Sequence, residues 1–226
     1  MIALTVACAV LCALLVVFEY RGSRPGRIAA KLAASLAFVA VGTQALEVGR
    51  HGDFDPGHVQ YAHAIFTGLV LGAIGDACLL GTGKRWFLGG LVAFLLGHLA
   101  YVAGIAMIEP AALWPTDAGW LAALPIGAAA LVLASLWPRL GSMRLPVIGY
   151  VVTITVMVVA AIAATRGQAL PEPNRGRLIV GACVFFASDV AVARDRFVAH
   201  RFTNKLWGLP AYYAGQLLFA WSVAGL

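Results

Sequence analysis

The sequence predicts an all-α fold, a polytopic transmembrane bundle of about eight helices, and three observations carry that expectation. Of 226 residues, 62% are hydrophobic and only 12% charged, with a mean hydropathy of +0.88; a water-soluble domain carries roughly a quarter charged residues. The apolar residues come in runs close to the ~20 residues that a helix needs to cross a bilayer. Glycine, proline and charged clusters divide the runs, and the basic residues gather on alternate connections.

Taken in order, the spans are 2–20, 28–47, 61–81, 86–108, 118–137, 145–165, 177–195 and 206–225. They occupy nearly the whole chain, so a single integral-membrane domain over residues 1–226 is expected. The first run has no basic residues before it, which favours an uncleaved helix over a signal peptide. Arg21-Gly22-Ser23-Arg24-Pro25-Gly26-Arg27 ends it, and Gly52-Asp53-Phe54-Asp55-Pro56-Gly57 precedes the third span. Gly68 and Gly72 in the third span, and Gly90, Gly97 and Gly104 in the fourth, have the spacing that lets helix backbones approach closely in lipid. Glu109-Pro110 and Trp114-Pro115 bound the next connection. Pro125 falls inside the fifth span and should bend it, whereas Pro146 opens the sixth where proline is tolerated. Pro171-Glu172-Pro173-Asn174 leads into the seventh. Cys8, Cys12, Cys78 and Cys183 all lie in apolar segments, where a thiol acts as a small hydrophobe.

Lysine and arginine set the expected topology. The odd-numbered connections and their flanks hold twelve: Arg21, Arg24, Arg27, Lys31, Lys84, Arg85, Arg139, Arg144, Arg194, Arg196, Arg201 and Lys205. The even-numbered ones hold four: Arg50, Arg166, Arg175 and Arg177. Positive charge stays cytoplasmic, so a plasma (inner) membrane protein with both termini outside is expected. The net charge of +6 reads as topology and lipid head-group contact. No basic tract with interleaved aromatics points to nucleic acid.

Asp76 and Asp189 stand inside otherwise apolar runs, where an acid costs about 2.5–3.5 kcal/mol to insert. At 1.5 Å rise per residue, both fall toward the cytoplasmic ends of their helices. Glu19, Lys31, Tyr150, Tyr212, Tyr213 and Gln216 share that layer, and His98 and Tyr101 lie deeper on one face of the fourth span. The plain structural reading of either aspartate is an ion pair with Lys31 or an arginine; Lys31 and Glu19 can also snorkel to the interface. His63 reads as interfacial, and His51, His58 and His200 as loop residues without a partner. Zinc needs three or four ligands together, and His98 is the one histidine at depth, so neither a metal nor another cofactor is expected. No GxSxG occurs for a serine triad. Two carboxyls, tyrosines and a histidine suit acid–base chemistry, with one aspartate protonated and the other ionised beside Lys31.

Gly75-Asp76-Ala77-Cys78-Leu79-Leu80 and the stretch Gly90-Leu91 through Phe94, His98 and Tyr101 resemble the GD-x-x-L and G-L-x-x-F-x-x-x-H-x-x-Y motifs of the YhhN, or lysoplasmalogenase-like, family. Pro146-Val147-Ile148-Gly149-Tyr150, with Met157, is similar to its P-V-x-x-Y helix. Gly181-Ala182-Cys183-Val184-Phe185-Phe186-Ala187-Ser188-Asp189, trailed by Phe197, resembles G-A-x-x-F-x-x-S-D, and Tyr212-Tyr213-Ala214-Gly215-Gln216 resembles Y-Y-x-x-Q. Lys31 matches the family's early lysine, with Leu32 where a proline often follows. The motifs run through spans three to eight in order, and the first 60 residues match weakly.

The resemblance implies a membrane enzyme that cleaves the vinyl ether bond of lysoplasmalogens to a fatty aldehyde and a glycerophospho-ethanolamine or -choline, without a metal, with Asp76 and Asp189 at its centre. A vinyl ether is hydrolysed through an oxocarbenium-like cation, which paired carboxyls handle in glycosidases. One aspartate, Asp189 by preference, is expected to donate the proton and the other to stabilise the cation. His98, Tyr101, Tyr213 and Gln216 are expected to position water or the glycerol hydroxyl, with Tyr150, Ser188 and Tyr212 beside them and Lys31 and nearby arginines on the phosphate. The alternatives are a proton-coupled transporter or lipid-binding membrane protein, since paired intramembrane acids also serve transport, or hydrolysis of another lipid linkage.

Overall fold

A computed structural model describes residues 1–49 and 56–226, without the side chains of residues 48 and 49. Arg50, His51, Asp53 and Asp55, assigned above to the second connection, lie outside the described residues. The described residues form nine α-helices in order: α1 (Ile2–Tyr20), α2 (Arg24–Gly49), α3 (Pro56–Leu79), α4 (Lys84–Ile108), α5 (Trp114–Ala118), α6 (Ala123–Leu136), α7 (Arg144–Ala164), α8 (Glu172–Phe197) and α9 (Phe202–Trp221). Short 3₁₀ turns link α4 to α7, and the described residues contain no strand. Each predicted span is helical. Seven segments are long and apolar enough to cross a membrane. α9 is not one of the seven; Asn204, Lys205 and Gln216 lower its hydropathy.

Two elements differ from expectation. The fifth span, which Pro125 was expected to bend, is broken before it: α5 ends at Ala118, a 3₁₀ turn runs Gly119–Ala122, and Pro125 sits in the first turn of α6. The first four N–H groups of a helix have no internal acceptor, so proline removes nothing there. α2 likewise begins at Arg24, inside the predicted break, with Pro25 in its first turn; Ser23 Oγ accepts the Gly26 N–H at 3.4 Å, in the manner of an N-cap.

α1, α2, α3, α4, α7 and α8 follow one another around the bundle, each packed on the next, and α9 closes it by touching α1, α2, α3 and α8. α6 lies against α7 and α8. On α1 one stripe (Ile2, Val6, Val10, Leu14 and Val17) is exposed as a lipid-facing surface, and the opposite side buries Cys8, Cys12 and Leu15.

The two ends of the bundle are chemically distinct. At one, the termini meet: Trp221 Nε1 donates to Thr5 Oγ1 at 2.9 Å, and Asn174 holds the Ser222 and Ala224 carbonyls. His58, read from the sequence as unpartnered, pairs there with the Ala169 carbonyl. At the other end the odd-numbered connections gather, and Glu19 bridges Arg27 of α2 (3.4 Å) and Lys205 of α9 (2.9 Å). His200 pairs with Asp195 at 2.8 Å at this end, so it too has a partner.

The α3–α4 contact is the closest, and it uses the predicted glycines. A Cβ on Gly97 would lie 3.2 Å from the Gly68 carbonyl oxygen, which is backbone and cannot step aside. Gly97→Val therefore overpacks the pair and is expected to lower stability by about 1–3 kcal/mol, read as an earlier thermal midpoint in detergent.

Candidate active site

Asp76 lies in the last turn of α3 and is 1% exposed. A lone buried carboxylate is costly, and two other helices answer it directly. Lys31 of α2 places Nζ 2.6 Å from Oδ1. Ser35, one turn further along the same face of α2, donates to Oδ2 at 2.6 Å. Tyr212 of α9 adds its hydroxyl. That hydroxyl is oriented from behind: Tyr101 of α4 donates to Gln216 Oε1 at 2.6 Å, which turns the amide so that Gln216 Nε2 donates to Tyr212 Oη at 3.1 Å. The Tyr212 hydrogen is then free for Asp76. Gly72 of α3 makes room for this amide, since a Cβ there would collide with Gln216 Nε2.

Asp189, two turns from the end of α8, has different company. Its side chain is 17% exposed. Tyr150 of α7 donates to Oδ2 at 2.7 Å, and His98 Nε2 of α4 stands 3.8 Å away. Among the described residues no lysine or arginine pairs with it. The two acids are thus matched to unlike partners, one to a cation and one to a phenol and an imidazole.

Both aspartates line one cavity of about 650 Å³. Lys31, Tyr150 and Tyr212 share its wall with them, and Leu91, Phe94, Val132, Val151, Ile154 and Phe186 make an apolar interior. The rim, at the Glu19 end of the bundle, carries Arg24, Arg27, Arg196 and Lys205 beside Glu19 and Asp195. The volume and shading from apolar to cationic match a single-chain amphiphile, and ligand sites commonly fall in the range of about 300–1,000 Å³.

Of the residues singled out in the sequence, Lys31, Asp76, Tyr150, Asp189 and Tyr212 meet on this cavity. His98, Tyr101 and Gln216 stand behind its wall, Tyr213 reaches the Lys31 carbonyl at 3.4 Å, and Ser188 turns its hydroxyl back onto the Phe185 carbonyl at 2.8 Å. The depths also differ from expectation: Asp76 is three residues from its helix end and Asp189 eight. Ser35 was missed. Its signal was present, because Lys31 and Ser35 are four apart on a helix and so share a face. The rim cations, expected as topology signals, head-group contacts and nearby arginines for a phosphate, stand together at the cavity mouth.

Fold and site together define a polytopic membrane protein that opens a lipid-sized cavity onto one buried and one half-buried carboxyl. The chain belongs to the YhhN family, whose model matches residues 26–223. It is similar to lysoplasmalogenase TMEM86A of Bos taurus, 33% identical over 166 residues, which is 71% of this chain and 65% of that protein. The human TMEM86A lysoplasmalogenase is 32% identical over 164 residues, with the same shares. A lysoplasmalogenase of Mycobacterium tuberculosis is 34% identical over 157 residues, 66% of this chain and 56% of that protein. The chain thus spans a little under two thirds of the length of these relatives. No solved structure matches it.

Removing one partner of a buried pair strands the other's charge and typically costs 3–5 kcal/mol, whereas an apolar replacement of both is often neutral. Lys31→Met is therefore expected to lose stability by about 3–5 kcal/mol, and Lys31→Met with Asp76→Leu to regain most of it. Thermal unfolding of the two variants in one detergent measures the difference.

Proposed function

We propose that this protein is a lysoplasmalogenase-type hydrolase, cleaving the vinyl ether bond of 1-alkenyl-glycerophospho-ethanolamine or -choline to a fatty aldehyde and the glycerophospho-alcohol. The observation that carries the reading is the pair of differently partnered aspartates on one amphiphile-shaped cavity. The names of the relatives support the substrate class. The basic bias of the odd-numbered connections supports a site in the cytoplasmic half of the inner membrane, with both termini outside.

The residues divide the work by their partners. Asp76, tied to Lys31 and Ser35, faces the cation that develops when the alkene is protonated, as a carboxylate does for a glycosyl cation. Asp189, with no cation beside it, supplies the proton to the alkene carbon farther from the ether oxygen, and Tyr150 fixes its direction. Water adds to the carbon next to oxygen, and the hemiacetal separates into aldehyde and alcohol. Arg24 receives the phosphate at the rim together with Arg27 and Lys205, two cations that share the single carboxylate of Glu19 and so keep net positive charge for it. Lys31, expected to share that task, has its ammonium engaged by Asp76.

Aldehyde release by purified protein in detergent tests the reading, because a transporter or binding protein makes no product. Asp189→Asn is expected to lower kcat by about 10²–10⁴-fold, the usual weight of general acid–base catalysis, and Asp76→Asn to lower it as well; wild-type rates in both exclude the mechanism. A charge-assisted hydrogen bond contributes about 1.5–3 kcal/mol, so Arg27→Gln with Lys205→Gln is expected to raise KM about tenfold or more with little change in kcat. A substrate lacking the phosphate should not register the double change.

A further inference from the structure

The mechanism above leaves one buried titratable group idle. His98, 1% exposed, lies 2.7 Å through Nδ1 from the Phe94 carbonyl oxygen. A carbonyl only accepts, so Nδ1 carries the hydrogen and neutral His98 presents a bare lone pair at Nε2. That nitrogen is buried, has no hydrogen-bond partner among the described residues, and stands 3.8 Å from Asp189 Oδ2. Phe185, Tyr150 and Tyr101 meet the ring edge-on at centroid distances of 4.7, 5.3 and 6.3 Å and fence it on three sides.

Two acceptors that face each other at the wall of a largely apolar cavity, one of them sealed off, repel unless a proton lies between them. The neighbours do not supply it. From α7, Tyr150 gives its one hydroxyl hydrogen to Asp189; from α4, Tyr101 gives its hydrogen to Gln216. From α2, the Lys31 ammonium is held by Asp76 of α3, and Tyr212 of α9 is turned to the same carboxylate.

We infer that Asp189 and His98 hold one proton in common, and that His98 is the positioning residue that keeps this proton on the Asp189 carboxyl and aimed for transfer. The inference rests on the lysoplasmalogenase reading for its chemistry. The Asp189 O–H bond breaks as a C–H bond forms at the alkene carbon, using the C=C electron pair, and an oxygen lone pair completes the oxocarbenium ion. Water adds, and its surplus proton returns to the carboxylate, restoring the shared state. The hemiacetal hydroxyl proton ends on the glycerol oxygen as the C–O bond breaks. No oxidant or further reactant is consumed.

Infrared difference spectra of the purified protein test this without turnover. Wild type minus Asp189→Asn at neutral pH should isolate the C=O stretch of a carboxylic acid. His98→Phe, which fills the space without an acceptor, should move that band to higher frequency. It should also lower kcat by about tenfold or more, with KM changed less than about twofold. His98→Gln, whose amide oxygen can take the place of Nε2, should keep both near wild type. Should His98→Phe fail to fold, His98→Asn, too short to reach Asp189, takes its place with the same expectations. Absence of the carboxylic acid band in wild type, or a band unmoved by loss of His98, overturns the proposal. A moved band in a protein that releases no aldehyde leaves the shared proton standing and removes the lysoplasmalogenase reading alone.

Discussion

The contact between Lys31 and Asp76 organises this molecule. Two opposite charges held at 2.6 Å, with side chains 12% and 1% exposed, are stable in an apolar surrounding only if their remaining hydrogen-bonding capacity is met. The need to meet it recruits Ser35 from the next turn of α2, Tyr212 from α9, and behind Tyr212 the chain of Gln216 and Tyr101. Four helices are therefore fixed relative to one another by the demands of a single carboxylate. The close α3–α4 approach through Gly97 and the space left at Gly72 belong to the same arrangement, because a wider spacing would separate Tyr101 from Gln216.

Asp189 shows the opposite solution. Its partners are a phenol, which donates, and an imidazole nitrogen, which does not, so its charge is not offset by a cation. Two identical side chains thus stand in different surroundings, one beside a cation and one beside a phenol and an imidazole. The cavity between them inherits that asymmetry, with an apolar body and a cationic rim.

Much of this was legible from residue order. Long apolar runs report helices because lipid admits few other spanning structures, and the eight spans follow from that. An acid within such a run advertises itself by its cost, so Asp76 and Asp189 could be named from composition alone. Ser35 gives a fainter signal: it shares a helix face with Lys31, but a serine costs little in a helix and its meaning comes from Asp76 on another helix. The link of Glu19 to both Arg27 and Lys205 joins residues up to 186 positions apart, and no local pattern encodes it. The broken fifth span was missed because hydropathy is blind to Gly119, whose φ of 52° starts the turn that lets Pro125 fall at a helix start.

The modest hydropathy of α9 has a consequence for how the protein is made. Helices one after another leave the ribosome, and the earlier ones can insert on their own apolarity; the last, bearing Asn204, Lys205 and Gln216, gains most by entering a bundle already present to receive those groups. Until it docks, the Asp76 carboxylate lacks Tyr212, and Glu19 lacks Lys205. Insertion and assembly of the centre are thereby coupled: without α9 in place, the helices before it form a membrane-inserted scaffold with an unfinished centre.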